Sequence, residues 1–385
     1  MKMSKKWFRS IVVVLLLSAL MASIGVGSSA FVTPKWEADT TEFMYDEEIA
    51  AAWGDSALFE SDDFAGVYIN KGRQVVFVYV DGSKGYKDAV SRCKSMGGML
   101  VSDDGNLRQP MLVHGATYSY KQLNEAQQIF VAKGYLNSEI CSFSVDYENN
   151  CITVGLLDLS KCNKIQKQLV ALVEETVVGV DSVKEIVSFE KDEDPITYCT
   201  SANGYSQLNA TVSGGTGYFS GAVRYTSSTY GDGFITTGHG PAVNAIVYVG
   251  SQRIGVVKAK YHNGTNDTAF VKLDSGNTFV PTDTAAEETD SSVPAVGSTI
   301  YVRGYNTNPK VLTTVLSNTY SYNNAQDGIT WSDMIRVDVG VPGGSSGGGA
   351  LGRLLDLGRT RTVIGVISAT SSTSTVIIKR AKFSY

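Results

Sequence analysis

The sequence is poor in cysteine, proline and histidine, and it has no excess of positive charge. Its 385 residues include five cysteines, eight prolines and three histidines. The 33 Lys and Arg against 38 Asp and Glu give a formal net charge of -5, so a basic field over the whole chain is excluded and nucleic acid is not expected as a partner. A content of 43% hydrophobic and 18% charged residues excludes disordered, collagen-like and coiled-coil classes and indicates about two globular domains.

Charge is unevenly distributed along the chain. Residues 31–199 carry a net charge of -12, whereas residues 200–385 carry +3 and are rich in Ser, Thr and Gly. Because opposite charges attract, we expect the two parts to contact each other within one molecule. The alternative, that they are linked but do not touch, is open at this point.

The cysteines indicate neither a zinc site nor a pairing scheme. The last of the five is Cys199, and no Cys-x-x-Cys or Cys/His spacing is present. An odd number leaves at least one thiol unpaired. We expect no metal and no organic cofactor.

The first 30 residues have the pattern of a secretory signal peptide. Basic residues up to Arg9 precede an apolar run over 11–26, and small residues up to Ala30 follow it. An uncleaved anchor is the alternative, but the run is short for a hydrocarbon core of about 30 Å. We therefore predict cleavage after Ala30 and a secreted, extracellular protein with no membrane contact afterwards.

Periodicity divides the remaining chain into two domains. Residues 115–190 predict the order helix, strand, strand, helix, strand, which is typical of a small α+β domain. The charged segment 190–200 contains a proline and predicts the boundary, so the domains are 1–30, 31–195 and 196–385. Beyond the boundary, many short β-rich runs separated by Gly, Asn and Ser predict an all-β sandwich or barrel pair.

Three passages in the all-β part set a reactive side chain among small residues. TTGHG contains His239, NDTAFVKL contains Asp267, and PGGSSGGGAL contains Ser346. Alone, each has an ordinary explanation: a structural histidine, a turn aspartate and a flexible linker. However, both flanks of the glycine run look like core strands. A tight turn whose backbone N–H groups converge beside a hydroxyl is therefore favoured, and an oxyanion hole requires such a turn.

Histidine, aspartate and serine in this order resemble the chymotrypsin-like serine endopeptidases, and most closely their bacterial, streptogrisin-like branch. TTGHG is similar to the family's TAAHC, NDTAFVKL to DxALxxL, and GSSGG to GDSGG, over residues of about 200–385. The resemblance implies two antiparallel six-stranded β-barrels. It also implies His239 as general base, Asp267 as the group that orients it, and Ser346 as nucleophile.

The same resemblance assigns the surroundings of the nucleophile. Ser346 fits the family frame better than Ser345, because it has Gly two positions before it and Gly-Gly after it. The backbone N–H groups of Gly344 and Ser346 would form the oxyanion hole. Ser368, Ala369 and Thr370 are similar to the edge segment that pairs with extended substrate in this family.

Several residues depart from the family pattern. Gly240 stands where the family has a cysteine, so the disulfide beside the base is missing. Ser345 replaces the aspartate that pairs with a freed N-terminus in the animal enzymes, and Gly340 stands where trypsins have the aspartate of their pocket. Activation by that ion pair and a preference for Lys or Arg are therefore not expected. His262 could bind a glutamate side chain, but YHNG favours an exposed turn.

Bacterial members of the family commonly carry a pro-region, and the order of elements in 120–190 is similar to such regions. A disulfide-free barrel dominated by nonlocal strand pairs folds slowly and exposes strand edges. We therefore expect 31–195 to assist folding, block the cleft and be removed near 190–200.

The sequence thus predicts a secreted serine endopeptidase that acts on protein or peptide substrates. One alternative is a catalytically inactive, protease-fold binding protein that keeps its acidic domain. Another is an adhesion or sugar-binding module, which fits the Ser, Thr and Tyr content but explains none of the three motifs.

Overall fold

Most of the described chain is β structure with four α-helices. The computed structural model describes residues 42–137, 139–176, 185–192, 197–198, 208–212, 215–277, 292–304, 311–356, 360–379, 382–383 and 385. The predicted leader 1–30, its cleavage position after Ala30, and Cys199 lie outside these residues.

Within the described residues, the α-helices all lie before residue 177. They are α1 (Asp46–Trp53), α2 (Lys84–Ser95), α3 (Tyr120–Ala132) and α4 (Cys162–Thr176). None of the described helices combines the length and apolarity needed to cross a membrane.

Seven strands accompany these helices. They are β1 (Phe64–Ile69), β2 (Val75–Val80), β3 (Met99–Val101), β4 (Arg108–Ala116), β5 (Ile140–Asp146), β6 (Cys151–Leu156) and β7 (Val187–Lys191). The first four form a sheet of order β1-β2-β4-β3, in which β2 and β4 are parallel.

The remaining strands begin at residue 197. They are β8 (Thr197–Tyr198), β9 (Leu208–Val212), β10 (Gly215–Phe219), β11 (Val223–Ser227), β12 (Gly231–Thr237), β13 (Ile246–Val249), β14 (Gln252–His262), β15 (Asp267–Leu273), β16 (Thr299–Arg303), β17 (Val311–Asn323), β18 (Thr330–Val337), β19 (Gly349–Asp356), β20 (Thr360–Thr370) and β21 (Thr375–Lys379).

The predicted order over 120–190 is confirmed, because α3, β5, β6, α4 and β7 follow one another as expected. The helix α3 begins at an N-cap serine, Ser119, whose hydroxyl accepts the N–H of Gln122 while the Gln122 side chain accepts the N–H of Ser119. The strands β6 and β7 are parallel and are joined through α4.

Helices α1 and α2 were not predicted. In α2 only Ala89 is buried, so the apolar stripe on which helical periodicity depends is nearly missing. Its local signal is the N-cap serine, Ser83, which accepts the N–H of Tyr86.

The strands after residue 207 form two antiparallel groups. Strands β9 to β15 make a seven-stranded sheet of order β10-β9-β13-β14-β15-β12-β11, which differs from the six strands expected for the first barrel. Strands β16 to β21 follow the order β16-β19-β20-β21-β18-β17, and β16 also pairs with β17, so these six strands form a closed ring.

The ring is filled by branched aliphatic side chains. Its buried members include Ile300, Val302, Val315, Ile335, Val337, Ile364, Ile367 and Ile377. Each such side chain removed from water contributes about 1.5–3 kcal/mol. The four cysteines in the described residues, all before residue 200, are free thiols, so packing rather than disulfides holds these strands together.

The acidic part of the chain continues this second sheet. Strand β5 pairs with β17, with Phe143 opposite Ser321 and Ser142 opposite Tyr322. As a result β5, β6 and β7 extend the six-stranded ring, and β8, which pairs with β20, completes a ten-stranded sheet. Backbone hydrogen bonds between neighbouring strands therefore join residues before 192 to residues after 310.

Candidate active site

His239 lies two residues after the end of β12, between the two groups of strands. Phe234 and Ile235 anchor this strand in the core with no exposed surface. At Gly238 a Cβ atom would lie 2.0 Å from the carbonyl oxygen of Tyr261, so only glycine lets the chain pass there. The side chain of the following His239 is only 4% exposed.

Asp267 opens β15, on the neighbouring strand, and is completely buried. Its Oδ2 lies 2.5 Å from His239 Nδ1. The same oxygen accepts the hydroxyl of Ser368 at 2.5 Å and that of Thr237 at 3.1 Å. Three side chains thus meet on one carboxylate oxygen and leave His239 one orientation relative to Asp267.

Burial alone would raise the pKa of the Asp267 carboxyl, because the charged form loses its hydration. The neighbouring groups outweigh this cost: His239 by charge and hydrogen bond, and His262 and Ser368 by hydrogen bonds, hold the pKa well below its usual range. Asp267 is therefore ionised at neutral pH, despite complete burial.

Ser346 completes a chain of contacts that begins at Asp267. Its Oγ lies 3.1 Å from His239 Nε2 and 3.1 Å from the carbonyl oxygen of Ser368. The structure therefore brings Ser346, His239 and Asp267 into one hydrogen-bonded line, although they are far apart in sequence. In such a line the imidazole can take a proton from the hydroxyl while the carboxylate holds the other ring nitrogen.

The loop before and after Ser346 is a turn fixed by backbone contacts. Gly347 has φ +86°, and a Cβ atom there would lie 2.2 Å from the Ser220 carbonyl oxygen. The Gly347 N–H donates to Ile367 O at 2.8 Å. Ser220 holds the other side: its N–H donates to Ser346 O at 2.7 Å and its hydroxyl donates to Gly344 O at 3.0 Å. The predicted linker alternative is thereby disfavoured.

Ser368, Ala369 and Thr370 lie at the end of β20, beside Ser346. Ser368 touches the site twice, through its hydroxyl to Asp267 and its carbonyl to Ser346. The backbone of the two-residue strand β8 pairs with this edge in antiparallel register, with Tyr198 opposite Ala369 and Thr197 opposite Thr370. A segment from the predicted boundary thus occupies the edge predicted to pair with substrate.

His262 differs from its interpretation as an exposed turn residue. It is the last residue of β14 and its side chain is 21% exposed. Its Nδ1 lies 3.0 Å from Asp267 Oδ1, the oxygen that His239 does not use. The interpretation failed because YHNG resembles a turn, while β14 includes its first two residues and pairs His262 with Asp267.

Comparison with solved structures found serine proteases. The chain is 22% identical to a glutamic acid-specific serine protease described as using a novel histidine triad in substrate binding, with 45% of this chain and 92% of that one covered and a TM-score of 0.35. Nocardiopsis protease is 22% identical, with 45% of this chain and 90% of that one covered and a TM-score of 0.34. Thermobifida fusca protease A is 21% identical, with 45% of this chain and 90% of that one covered and a TM-score of 0.33. These identities and TM-scores are low, so the functional argument below rests on the site itself.

Comparison of the sequence with family models and with curated proteins found no relative. No family model matches the chain, and no curated protein matches it.

Proposed function

We propose that this protein is a secreted serine endopeptidase, made as a precursor, that hydrolyses peptide bonds through Ser346, His239 and Asp267. The observation that carries the proposal is the line of contacts from Ser346 Oγ through the His239 ring to Asp267 Oδ2, at 3.1 and 2.5 Å. The natural substrates are proteins or peptides, and the reaction needs no metal or organic cofactor.

In the first half of the reaction, Ser346 Oγ attacks the carbonyl carbon of the substrate while its proton passes to His239 Nε2. The tetrahedral oxyanion accepts the backbone N–H groups of Gly344 and Ser346. The carbon–nitrogen bond then breaks, and His239 gives the proton to the leaving amine, which leaves an acyl ester on Ser346.

In the second half, a water molecule gives a proton to His239 and attacks the ester. The acyl–oxygen bond breaks, the carboxylic acid product leaves, and the proton returns from His239 to Ser346 Oγ. Asp267 remains ionised throughout and stabilises the imidazolium in both halves.

The precursor part of the proposal is supported by ion pairs between the two regions that centre on Arg336, whose side chain is mostly buried. Arg336 of β18 lies 2.8 Å from Glu190 Oε1 and 3.7 Å from Asp192 Oδ1, and its guanidinium lies 5.0 Å from the ring centroid of Tyr320. Asp192 is 6% exposed and also accepts the Ser142 hydroxyl at 2.8 Å. Separating the regions would leave Arg336 without its carboxylates, so the contact resists separation.

Strand β8 belongs to 196–385 and lies within the predicted cleavage segment 190–200, and in the uncleaved chain it lies on the edge that is predicted to pair with substrate. Backbone pairing of Thr197 and Tyr198 with Thr370 and Ala369 uses the hydrogen-bonding edge that substrate would need. We propose that residues 31–195 assist folding and block the site, and that cutting near 190–200 frees it.

The enzymatic proposal is tested by expressing the full chain beside its Ser346→Ala variant and measuring release of peptides from an unfolded protein substrate. We expect peptide release by the wild-type chain after it loses its acidic part, and none by the variant. Equal release by both would show that Ser346 is not the nucleophile.

The precursor proposal has its own measurement. We expect purified 31–195 to inhibit the processed enzyme and to speed its refolding. If residues 200–385 expressed alone refold quickly to full activity, this part of the proposal is wrong, while the proposed chemistry is unaffected.

A further inference from the structure

The carboxylate of Asp267 is held from both sides by histidines. His239 lies on Oδ2, whereas His262 Nδ1 lies 3.0 Å from Oδ1. The other nitrogen of His262, Nε2, lies 3.3 Å from Oδ2 of Asp327. The contacts therefore continue beyond Asp267 as Ser346, His239, Asp267, His262 and Asp327.

The two histidines face different partners. His239 has a carboxylate on one nitrogen and a hydroxyl on the other, so a neutral ring can donate to Asp267 and accept from Ser346. His262 has a carboxylate oxygen on each nitrogen. A neutral imidazole has one N–H and one lone pair, so it would leave one carboxylate facing the lone pair; only the imidazolium donates to both.

The surroundings of His262 hold it in this place. Its ring centroid lies 5.1 Å from that of Trp331, which is completely buried, and 6.4 Å from that of His239. Asp327, in the turn between β17 and β18, is fixed by its Oδ1, which accepts the Ile329 N–H at 3.0 Å.

The charges that face His262 favour its cation. Among the described residues, the carboxylates of Asp267 and Asp327 form ion pairs with His262, and the ring of His239 lies 6.4 Å away between centroids. Burial would lower the pKa of His262, but the hydrogen bonds and charges of the two carboxylates outweigh it and raise the pKa.

We propose that His262 is a cationic positioning residue of the active site, which holds Asp267 by its second oxygen and is itself kept ionised by Asp327. This inference rests on the proposed function. The positive charge on one side of Asp267 partly offsets the field that the carboxylate exerts on His239. Removing the charge of His262 would therefore strengthen the attraction between Asp267 and a proton on His239.

The kinetic test separates the charge of His262 from its hydrogen bond. His262→Gln keeps an N–H donor and removes the charge, so we expect the acid limb of the kcat/KM profile to move up by about one pH unit, with KM unchanged. His262→Ala also removes the donor, and kcat should fall by a further factor of about 10. A role in packing alone would lower stability and leave the acid limb where it is.

A spectroscopic test does not depend on activity. The full chain, labelled with 15N-histidine and carrying Ser346→Ala to prevent self-cleavage, has three histidines to assign. The variants His114→Gln and His262→Gln identify two of them, since His114 lies exposed on β4. We expect both nitrogens of His262 to be protonated at pH 7, and the titration midpoint to fall by about one pH unit in Asp327→Asn.

Asp274→Asn is the matched control, because Asp274 is a partly exposed carboxylate paired with Arg253 in the same part of the chain. It should leave the midpoint unchanged. A neutral His262 at pH 7, or an acid limb that does not move in His262→Gln, overturns the inference. An inactive enzyme with a cationic His262 would instead count against the proposed function.

Discussion

Two buried carboxylates, one in the proposed active site and one between the acidic region and the ring, respond to burial in opposite ways. Asp267 has no exposed surface and its pKa lies well below the usual range. Asp46, on helix α1, is 8% exposed, and burial followed by the charge of Glu47 raises its pKa to about 8. Desolvation acts in the same direction on both groups.

The difference comes from the number of donors. His239, His262, Ser368 and Thr237 all contact the carboxylate oxygens of Asp267. Asp46 has Asn318 on Oδ2 at 2.9 Å, while its Oδ1 has no hydrogen-bond partner among the described residues. Asp267 therefore stays charged in this interior because several donors surround it, whereas Asp46 has a single one.

The largest expected effect is that of Asp267→Asn. The amide keeps the shape but can stabilise neither the imidazolium nor the required tautomer, so kcat should fall by about ten-thousand-fold. Steady-state kinetics on the processed enzyme would measure this, with Asp274→Asn as a control that retains full activity. A loss of less than about 10-fold would mean that Asp267 has no special role.

The next effect concerns stability. Because the folded-state pKa of Asp46 is raised from 3.8 to about 8, the folded chain binds the extra proton between these values. The stability contributed by the protonated group is present below about pH 4 and is lost as pH rises to about 8, with a roughly tenfold fall in the folding equilibrium constant per pH unit.

Asp46→Asn should remove this dependence of the unfolding free energy on pH. Denaturant unfolding of the uncleaved Ser346→Ala chain at several pH values would measure it, with Asp55→Asn, a change on the loop after α1, as the control. If the unfolding free energy of Asp46→Asn depends on pH as it does in the parent chain, Asp46 is not protonated in the folded chain.

The smallest effect tests one donor of the active-site carboxylate. Ser368→Ala removes the hydroxyl 2.5 Å from Asp267 Oδ2, and a lost hydrogen bond to a charged group should lower kcat by about 10-fold. The matched control is Ser317→Ala, a buried serine on β17 whose oxygen accepts the Thr319 N–H. Equal kcat values for the two variants would mean that the Ser368 hydroxyl does not help to keep Asp267 ionised.

Local sequence was enough to predict which residues meet in the site, because each of His239, Asp267 and Ser346 lies in a short frame of small residues. The small residues are needed because the backbone passes close to other strands there, as Gly238 does to Tyr261. His262 and Asp327 do not lie in such a motif of small residues. Their meeting depends on β14 extending to residue 262 and on a turn 65 residues later, neither of which has a local signal.

In the fold, too, local sequence predicts some elements but not how distant strands pair. Helix α3 and strands β5 and β6 follow from periodicity. The pairing of β5 with β17 joins segments nearly half the chain apart, and both strands look ordinary in sequence. Which strand edges pair is decided by tertiary contacts, so this link between the two regions was expected only as a contact of unspecified form.

The central claim is that Ser346 is the activated nucleophile of a site restrained by the acidic region. The most direct test is reaction of the secreted protein with a fluorophosphonate probe, before and after loss of 31–195, with the labelled residue located by mass spectrometry. We predict labelling at Ser346 that strengthens after processing and is absent in Ser346→Ala and His239→Ala. No labelling of either form, in a protein shown to be folded, would contradict the claim and favour an inactive binding protein.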